Sequence, residues 1–378
     1  AIISPAALSI VTTVFDEGPD RNKALGIWGA LGGSGAAVGV LLGGIITKWL
    51  GWEWIFFVNV PVGVIVLLAC LGIVRESKLE MKERAFDPLG AATATGSLVA
   101  LVYAISKAPD KGWGSTQTIV LLAVAVVLGI AFIAIESRVK NPIMPLRMLK
   151  IRTVAGANVV ALLLGASVFS TFFILTLYVQ QVLGWSALKT GVTFLVTAGT
   201  TVLWAGLSQA LVTKLGPRRI MVVGLTLMGI ATVTYTQVPV NGHFAGDLLP
   251  GYLIYAAGMA GAFIPVSIAA LAGIPSQEAG LASGLFNTNQ QIGGALGIAI
   301  AATVVTSRLK SVLGDQMAAA GVKQPTAEMT AIAATSGYRY AFWVLAAFAF
   351  AGAVVSLLLV RDSDVATGAD GKPVAAVL

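Results

Sequence analysis

The sequence predicts an all-α integral membrane protein, and three observations carry that prediction. Of the 378 residues, 57% are hydrophobic and only 11% charged, with a mean hydropathy of +0.88. A soluble domain carries about 25% charged residues. Ten apolar runs follow one another at 24–47, 54–74, 88–106, 117–135, 154–183, 190–213, 219–238, 249–273, 281–306 and 338–360. Each approaches the roughly 20 residues needed to cross a bilayer. Lys and Arg are unevenly shared between alternate breaks: sixteen of the 24 fall on the side that includes Arg218, Arg219 and Arg361. Basic residues gather in cytoplasmic loops, so a multi-pass protein of the cell (plasma) membrane with a cytoplasmic C-terminus is expected. Trp49, Trp52, Trp54, Trp113, Trp185 and Trp343 fall near the opposite ends, as an interfacial belt would.

In chain order, 2–15 reads as the latter part of a spanning helix, since fewer than the roughly 20 residues required precede Asp16. The expectation is ten full helices plus one partial, in a chain lacking its natural N-terminus. The second run places Gly35, Gly39 and Gly43 four residues apart, along one helix face. Such a stripe lets another backbone approach closely where lipid removes the hydrophobic drive. A tryptophan-dense turn leads to Ile55 and the third run. The runs 88–106 and 117–135 are bounded by basic breaks and read as an inserted pair. Six runs follow from 151 to 361, and residues 362–378 read as a disordered tail. Organisation is therefore 1–74, 75–150, 151–361 and 362–378. The break 307–339 has no strong period and reads as an external loop with a short interfacial helix.

Chemistry is constrained mostly by exclusion. The single Cys70 and single His243 rule out a disulfide framework and a Cys/His metal site. GxxxxGK[ST], GxSxG and HExxH are absent, so neither a nucleotide-driven pump nor a membrane enzyme is expected, and no cofactor or metal. The basic residues are dispersed over short loops, which argues against nucleic acid. The interiors of the apolar runs hold no Asp, Glu, Lys or Arg, whereas ion and proton relays usually place one there. A proton-coupling residue is thus expected upstream of Ala1. Uncharged polarity is plentiful instead: Asn59, Asn158, Ser170, Thr171, Gln180, Gln181, Gln209, Asn287, Asn289, Gln290 and Gln291. An unpartnered amide in lipid is costly, so these face the bundle interior, either as bonds between helices or as the lining of a cavity. Asn158, Gln180, Gln181, Asn287, Gln290 and Gln291, with Phe172, Tyr178 and Trp204, form the expected substrate cavity. It suits a small hydrophobic or weakly cationic ligand.

An internal repeat supports two related halves. Gly35 and Gly39 match Gly293 and Gly297 at a constant offset, and two halves related by an axis along the membrane normal is a transporter architecture. Most channels lack it, and no segment reads as a re-entrant filter.

Residues 35–44 (GAAVGVLLGG) and 52–61 (WEWIFFVNVP) resemble the fifth-helix antiporter motif and sixth-helix entry of the major facilitator superfamily, in its fourteen-helix drug:proton antiporter branch. Residues 178–184 (YVQQVLG), 214–219 (KLGPRR), 279–284 (AGLASG) and 290–294 (QQIGG) fit that branch as well. On this resemblance Gly35, Gly39, Val40, Gly43 and Gly44 form the antiporter motif, and Trp52, Trp54, Asn59 and Pro61 the entry motif. Lys214, Gly216, Arg218 and Arg219 form a cytoplasmic gate loop. Val40 stands where the family usually has proline, and Glu53 where it usually has arginine. The resemblance implies a superfamily helical bundle, alternating access by rocking halves, and export of hydrophobic or cationic drugs and antibiotics driven by the proton gradient. A monomer in the lipid bilayer is expected. Export of another metabolite or siderophore on the same scaffold remains open, as does a channel or signalling protein from another class.

Overall fold

The computed structural model describes residues 41–73, 87–139, 142–144, 146–275 and 278–366, and single positions between 10 and 39. Val40, most of the run 24–39, the breaks 16–22 and 74–86, and residues 367–378 lie outside the described residues. All the regular structure described is helical. Helix α1 covers 41–49. A short turn, Trp54–Phe57, leads into α2 (Asn59–Ile73); α3 (Pro88–Lys111) and α4 (Thr116–Glu136) follow. Then come α5 (Arg152–Leu177), α6 (Ala187–Leu215), α7 (Pro217–Tyr235), α8 (Leu249–Ala270), α9 (Ala279–Ala320), α10 (Ala327–Leu359) and the short α11 (Asp362–Ala366). Among the described residues, nine helices are long and apolar enough to cross a membrane. This is an all-α, multi-pass membrane bundle.

Local chemistry sets several boundaries. Asp87, Ser115, Ser186 and Thr326 each accept a hydrogen bond from a backbone N–H of the first turn of α3, α4, α6 and α10. These side chains satisfy donors that a helix start leaves orphaned. Pro88 and Pro217 stand at the first helical position, where a missing N–H costs nothing. Gly216 separates α6 from α7 at φ +85°, a backbone conformation that a side chain disfavours.

Helices α5 to α10 pack on one another, and glycine decides where the helices close. A Cβ on Gly224 of α7 would lie 2.4 Å from the Gly261 carbonyl carbon of α8, so these backbones touch directly. Gly165 and Gly293 do the same between α5 and α9, and Gly337 rests on Val305 between α10 and α9. Among the described residues, two large apolar clusters fill the bundle, with a smaller one at Met148, Val154, Ile274 and Ala282. One gathers Leu164, Met221, Leu225, Met228, Met259 and Phe286. The other gathers Ile174, Tyr178, Phe194, Tyr235, Tyr252 and Phe342. α8 is the most deeply buried span, whereas residues 52–72 are exposed throughout.

The inserted pair α3–α4 docks on α9 through α3. Thr303 donates to the Ile105 carbonyl at 3.1 Å, and Lys310 meets Asp110 at 2.9 Å. Lys310 holds the Asp110 carboxyl below its ordinary value, first by its hydrogen bond and then by its charge. The sign follows: this pair contributes above the ordinary carboxylate range and is lost as acidification protonates Asp110. Both side chains are solvent-exposed, where such pairs contribute little. Lys310→Ala is therefore expected to leave the melting temperature near neutral pH almost unchanged; a loss of many degrees would contradict this.

Two expectations are corrected. The break 307–339 is largely helical: α9 has 42 residues, a length of about 63 Å at 1.5 Å per residue. It turns at Gly321 (φ +64°), and α10 begins at Ala327. Alanine-rich sequence on an already nucleated helix extends it without an amphipathic period. The tail also starts ordered, because aspartates of α11 are held by a side chain of α5 and a backbone N–H of α7. Asp362 accepts from the Arg218 backbone N–H at 2.9 Å, and Asp364 from the Thr153 hydroxyl at 2.6 Å.

Candidate functional site

Helix α5 and the π-helical turn that continues it carry five of the nine expected cavity residues, and their geometry separates them. Asn158 and Gln181 are 23 positions apart, about 34 Å along a helix. They therefore belong to opposite ends of the bundle and cannot share one small pocket.

At the first end, Asn158 is buried and donates to the Val154 carbonyl at 2.9 Å. Its side-chain oxygen accepts from Asn289 of α9 at 2.8 Å, an amide pair bridging two helices. Asn287 points back along α9, donating to the Ser283 carbonyl at 2.9 Å. Gln290 is buried with no partner at Nε2, and Gln291 is exposed.

At the other end, α5 continues as a π-helical turn, Tyr178–Val182. Such turns widen the backbone and redirect side chains. Tyr178 donates to the Pro239 carbonyl at 2.6 Å, while Gln181 accepts from the Tyr338 hydroxyl at 2.8 Å. The rings of Tyr178 and Tyr338 meet edge-on at 6.2 Å. Gln180 lies in the same turn, half-buried. This end thus joins α5, α10 and the loop after α7.

Between the two ends lies an aromatic cluster. Phe172 meets Phe194 of α6 at 5.2 Å and Tyr255 of α8 at 6.3 Å. Phe194 stacks on Tyr252 at 5.5 Å with the rings 6° from parallel. Trp204, expected beside them, is 44% exposed and lies outside this cluster. Ser167, Ser170, Thr171, Tyr252 and Tyr255 bring buried hydroxyls to the same level. Ser170 and Thr171 are visible as polar residues in an apolar run. Tyr252 and Tyr255 carry no such signal, because tyrosine is common at membrane interfaces.

The remaining expected positions are distributed elsewhere. Gly44 approaches the Ala187 backbone oxygen, a Cβ there lying 3.0 Å away. A Cβ on Gly35, Gly39 or Gly43 would meet nothing within 4 Å among the described residues. Their counterparts in the repeat differ: Gly293 and Gly297 are closed on α5. Trp52, Trp54, Asn59 and Pro61 are all exposed, and Asn59 donates to the Ile55 carbonyl of the preceding turn at 2.9 Å. In the 214–219 segment, Gly216 lies against the Asp362 carboxyl and the Arg218 guanidinium caps the Leu357 carbonyl of α10. Arg152 of α5 caps the neighbouring Leu358 carbonyl at 2.6 Å. Cations at a helix C-terminus are favoured by its dipole. Lys214 lies in the last turn of α6, with Arg219 in the first turn of α7. Arg147 and Glu278 also pair, linking the approach to α5 with that to α9.

A bundle of this kind, with glycine-closed helix packing and polar side chains turned inward, matches a family model. Residues 1–298 fit that of the Major Facilitator Superfamily. The chain belongs to this superfamily. Among curated relatives, it is 35% identical over 318 residues to the puromycin resistance protein of Streptomyces alboniger, covering 83% of this chain and 63% of the relative. To the tetracenomycin C resistance and export protein of Streptomyces glaucescens it is 31% identical over 322 residues, covering 85% and 60%. To the cephamycin export protein of Amycolatopsis lactamdurans it is 34% identical over 313 residues, covering 81% and 64%. The chain thus spans less than two thirds of the length of these relatives. No group of three or more His, Cys, Asp or Glu gathers among the described residues.

Proposed function

We propose that this protein is a secondary transporter that exports small hydrophobic or weakly cationic drugs and antibiotics across the plasma membrane by proton antiport. One observation carries the reading: in a superfamily member, uncharged polar and aromatic side chains run the length of α5 and its π-helical continuation and face α6, α8, α9 and α10. Phe172 and its aromatic neighbours supply apolar contact, and amides supply orientation at either end of them, Asn158 and Gln290 at one and Gln181 at the other. A hydrophobic ligand binds such a surface without a counter-charge. The names of the three relatives, all of resistance or export, agree with it.

In this reading residues 1–74 and 151–361 form the two rocking parts, with 75–150 attached. The Gly35, Gly39 and Gly43 stripe, with Gly44, is the moving face of the first part, and Val40 belongs to the same motif, whereas Gly293 and Gly297 close α9 on α5 within the second part. Lys214, Gly216, Arg218 and Arg219 form a latch on the cytoplasmic face, the side of the C-terminus, and the transporter works as a monomer.

The test is accumulation of ethidium by pump-deficient cells with and without this protein. Producing cells are expected to accumulate less, and a protonophore to abolish the difference. Unchanged accumulation would overturn export; efflux indifferent to the protonophore would overturn antiport alone. Gln181→Ala removes the acceptor of the Tyr338 hydroxyl and is expected to weaken efflux of at least one substrate several-fold, about 1 kcal/mol for one hydrogen bond. Unaltered efflux of every substrate would remove Gln181 from the site.

A further inference from the structure

A serine or threonine inside a membrane-spanning helix ordinarily returns its proton to the carbonyl one turn back. Thr176, Thr201, Thr226, Thr232 and Ser356 do so here, each bonding the carbonyl four residues earlier. Ser167, Ser170 and Thr171 do not. All three are at least 99% buried, and none has a hydrogen-bond partner within the protein.

Their spacing puts them on one face of α5. That face meets α8, where the Tyr255 hydroxyl is turned toward Thr171 and Ser167 without closing a well-aligned bond. It also meets α9, which Gly297 brings against Ser170: a Cβ there would lie 2.6 Å from Oγ. Gln290 adds an amide nitrogen without an acceptor, and Tyr252 a second phenol, stacked on Phe194 and turned toward Thr193 without closing a well-aligned bond. Five hydroxyls thus lie beside the aromatic cluster and the Gln290 amide lies at its Asn158 end, none of them closing a well-aligned hydrogen bond. None is a carboxylate, ammonium or guanidinium.

Resting on the export reading above, we propose that this seam between α5, α8 and α9 is a recognition face for uncharged aromatic ligands bearing several carbonyl and hydroxyl oxygens. Six donors answer carbonyl oxygens, and the hydroxyls also accept from ligand hydroxyls. The rings of Phe172, Phe194 and Tyr252 answer an aromatic plane. A ligand with a net charge gains no counter-charge here. The seam is shut in this conformation, with Gly293, Gly294 and Gly297 letting α9 close on Leu162, Phe169 and Ala166 of α5. A local parting of α9 from α5 at the level of Gly297, with the contact at Gly293 kept, turns the hydroxyls to the ligand. Closing again leaves them unpartnered, which favours the open, loaded state.

The test measures efflux kinetics for two probes in cells producing the protein. Chloramphenicol is neutral and aromatic, with two hydroxyls and an amide carbonyl; ethidium is a fixed cation with neither group. Tyr255→Phe and Ser170→Ala remove only a hydroxyl each. Each is expected to raise the KM for chloramphenicol relative to that for ethidium by about tenfold, the worth of one hydrogen bond removed from a desolvated site. Thr176→Val, on α5 but bonded to its own helix, should leave the ratio unchanged. An unchanged ratio in Tyr255→Phe and Ser170→Ala, or an equal loss for both probes, would overturn the recognition face and leave the export reading standing. Export of neither probe by the unmodified protein would overturn both.

Discussion

Gly293→Ala is expected to pry α9 from α5 and sharply reduce the folded protein recovered from membranes. A Cβ on Gly293 would lie 1.9 Å from the Leu162 carbonyl oxygen and 2.7 Å from its carbon. Both are backbone atoms, so no rotamer change relieves the collision and the helices must separate. Overpacking of this kind costs about 1–3 kcal/mol and occasionally more. Alanine regains at most about 1 kcal/mol of helix propensity. The α5–α9 interface is among the most extensive in the bundle, and Gly165, Gly293 and Gly297 all lie in it. Gly314, on the same helix, is an internal control, because a Cβ there meets nothing within 4 Å. Gly314→Ala should be neutral or slightly stabilising. The measurement is thermal unfolding of both variants in detergent. Equal melting temperatures would show that close approach at Gly293 is not what holds α9.

Gly216→Ala is expected to be nearly as harmful, for a different reason. Gly216 has φ +85° and ψ 154°, a region essentially reserved for glycine, where a side chain costs about 1–3 kcal/mol. A Cβ would also stand 2.7 Å from the Asp362 carboxyl, the acceptor of the Arg218 backbone N–H. A hydrogen bond to a charged group contributes about 1.5–3 kcal/mol. The two effects separate in a double-mutant cycle. Asp362→Ala removes the carboxyl, so Gly216→Ala should cost less on that background. The difference measured by thermal unfolding is the coupling between the 214–219 segment and α11. Strict additivity would mean that the two do not interact.

How much of this is legible in the sequence depends on the residue. Nine of the ten spanning runs have matching helices among the described residues, because hydropathy measures a preference for lipid that each segment expresses alone. The run 24–47 lies mostly outside them. The 214–219 segment is legible as a loop from Gly216-Pro217. Its partner Asp362 is not, since 144 residues separate Arg218 from it. The amides of Asn158 and Asn289 are legible as inward-facing, but not as a pair, nor as remote from Gln181. The break 307–339 reads as a loop because its alanine-rich helix has no amphipathic pattern and its hydropathy falls.

Glycine shows the division most plainly. Gly39 and Gly297 are equivalent in the repeat, yet Gly297 is closed on Ala166 and Ser170 while Gly39 meets no described residue. Composition, run length and charge bias by themselves determined that the chain is a multi-pass helical membrane protein, and its motifs pointed to the superfamily. Only the tertiary structure decided which small residues bring helices together and which hydroxyls remain unpartnered. The physical reason is that, in a spanning helix, the lipid-facing and protein-facing sides are both apolar. Periodicity therefore does not reveal which face meets a neighbour, and that choice is made by the shapes of the helices that come together.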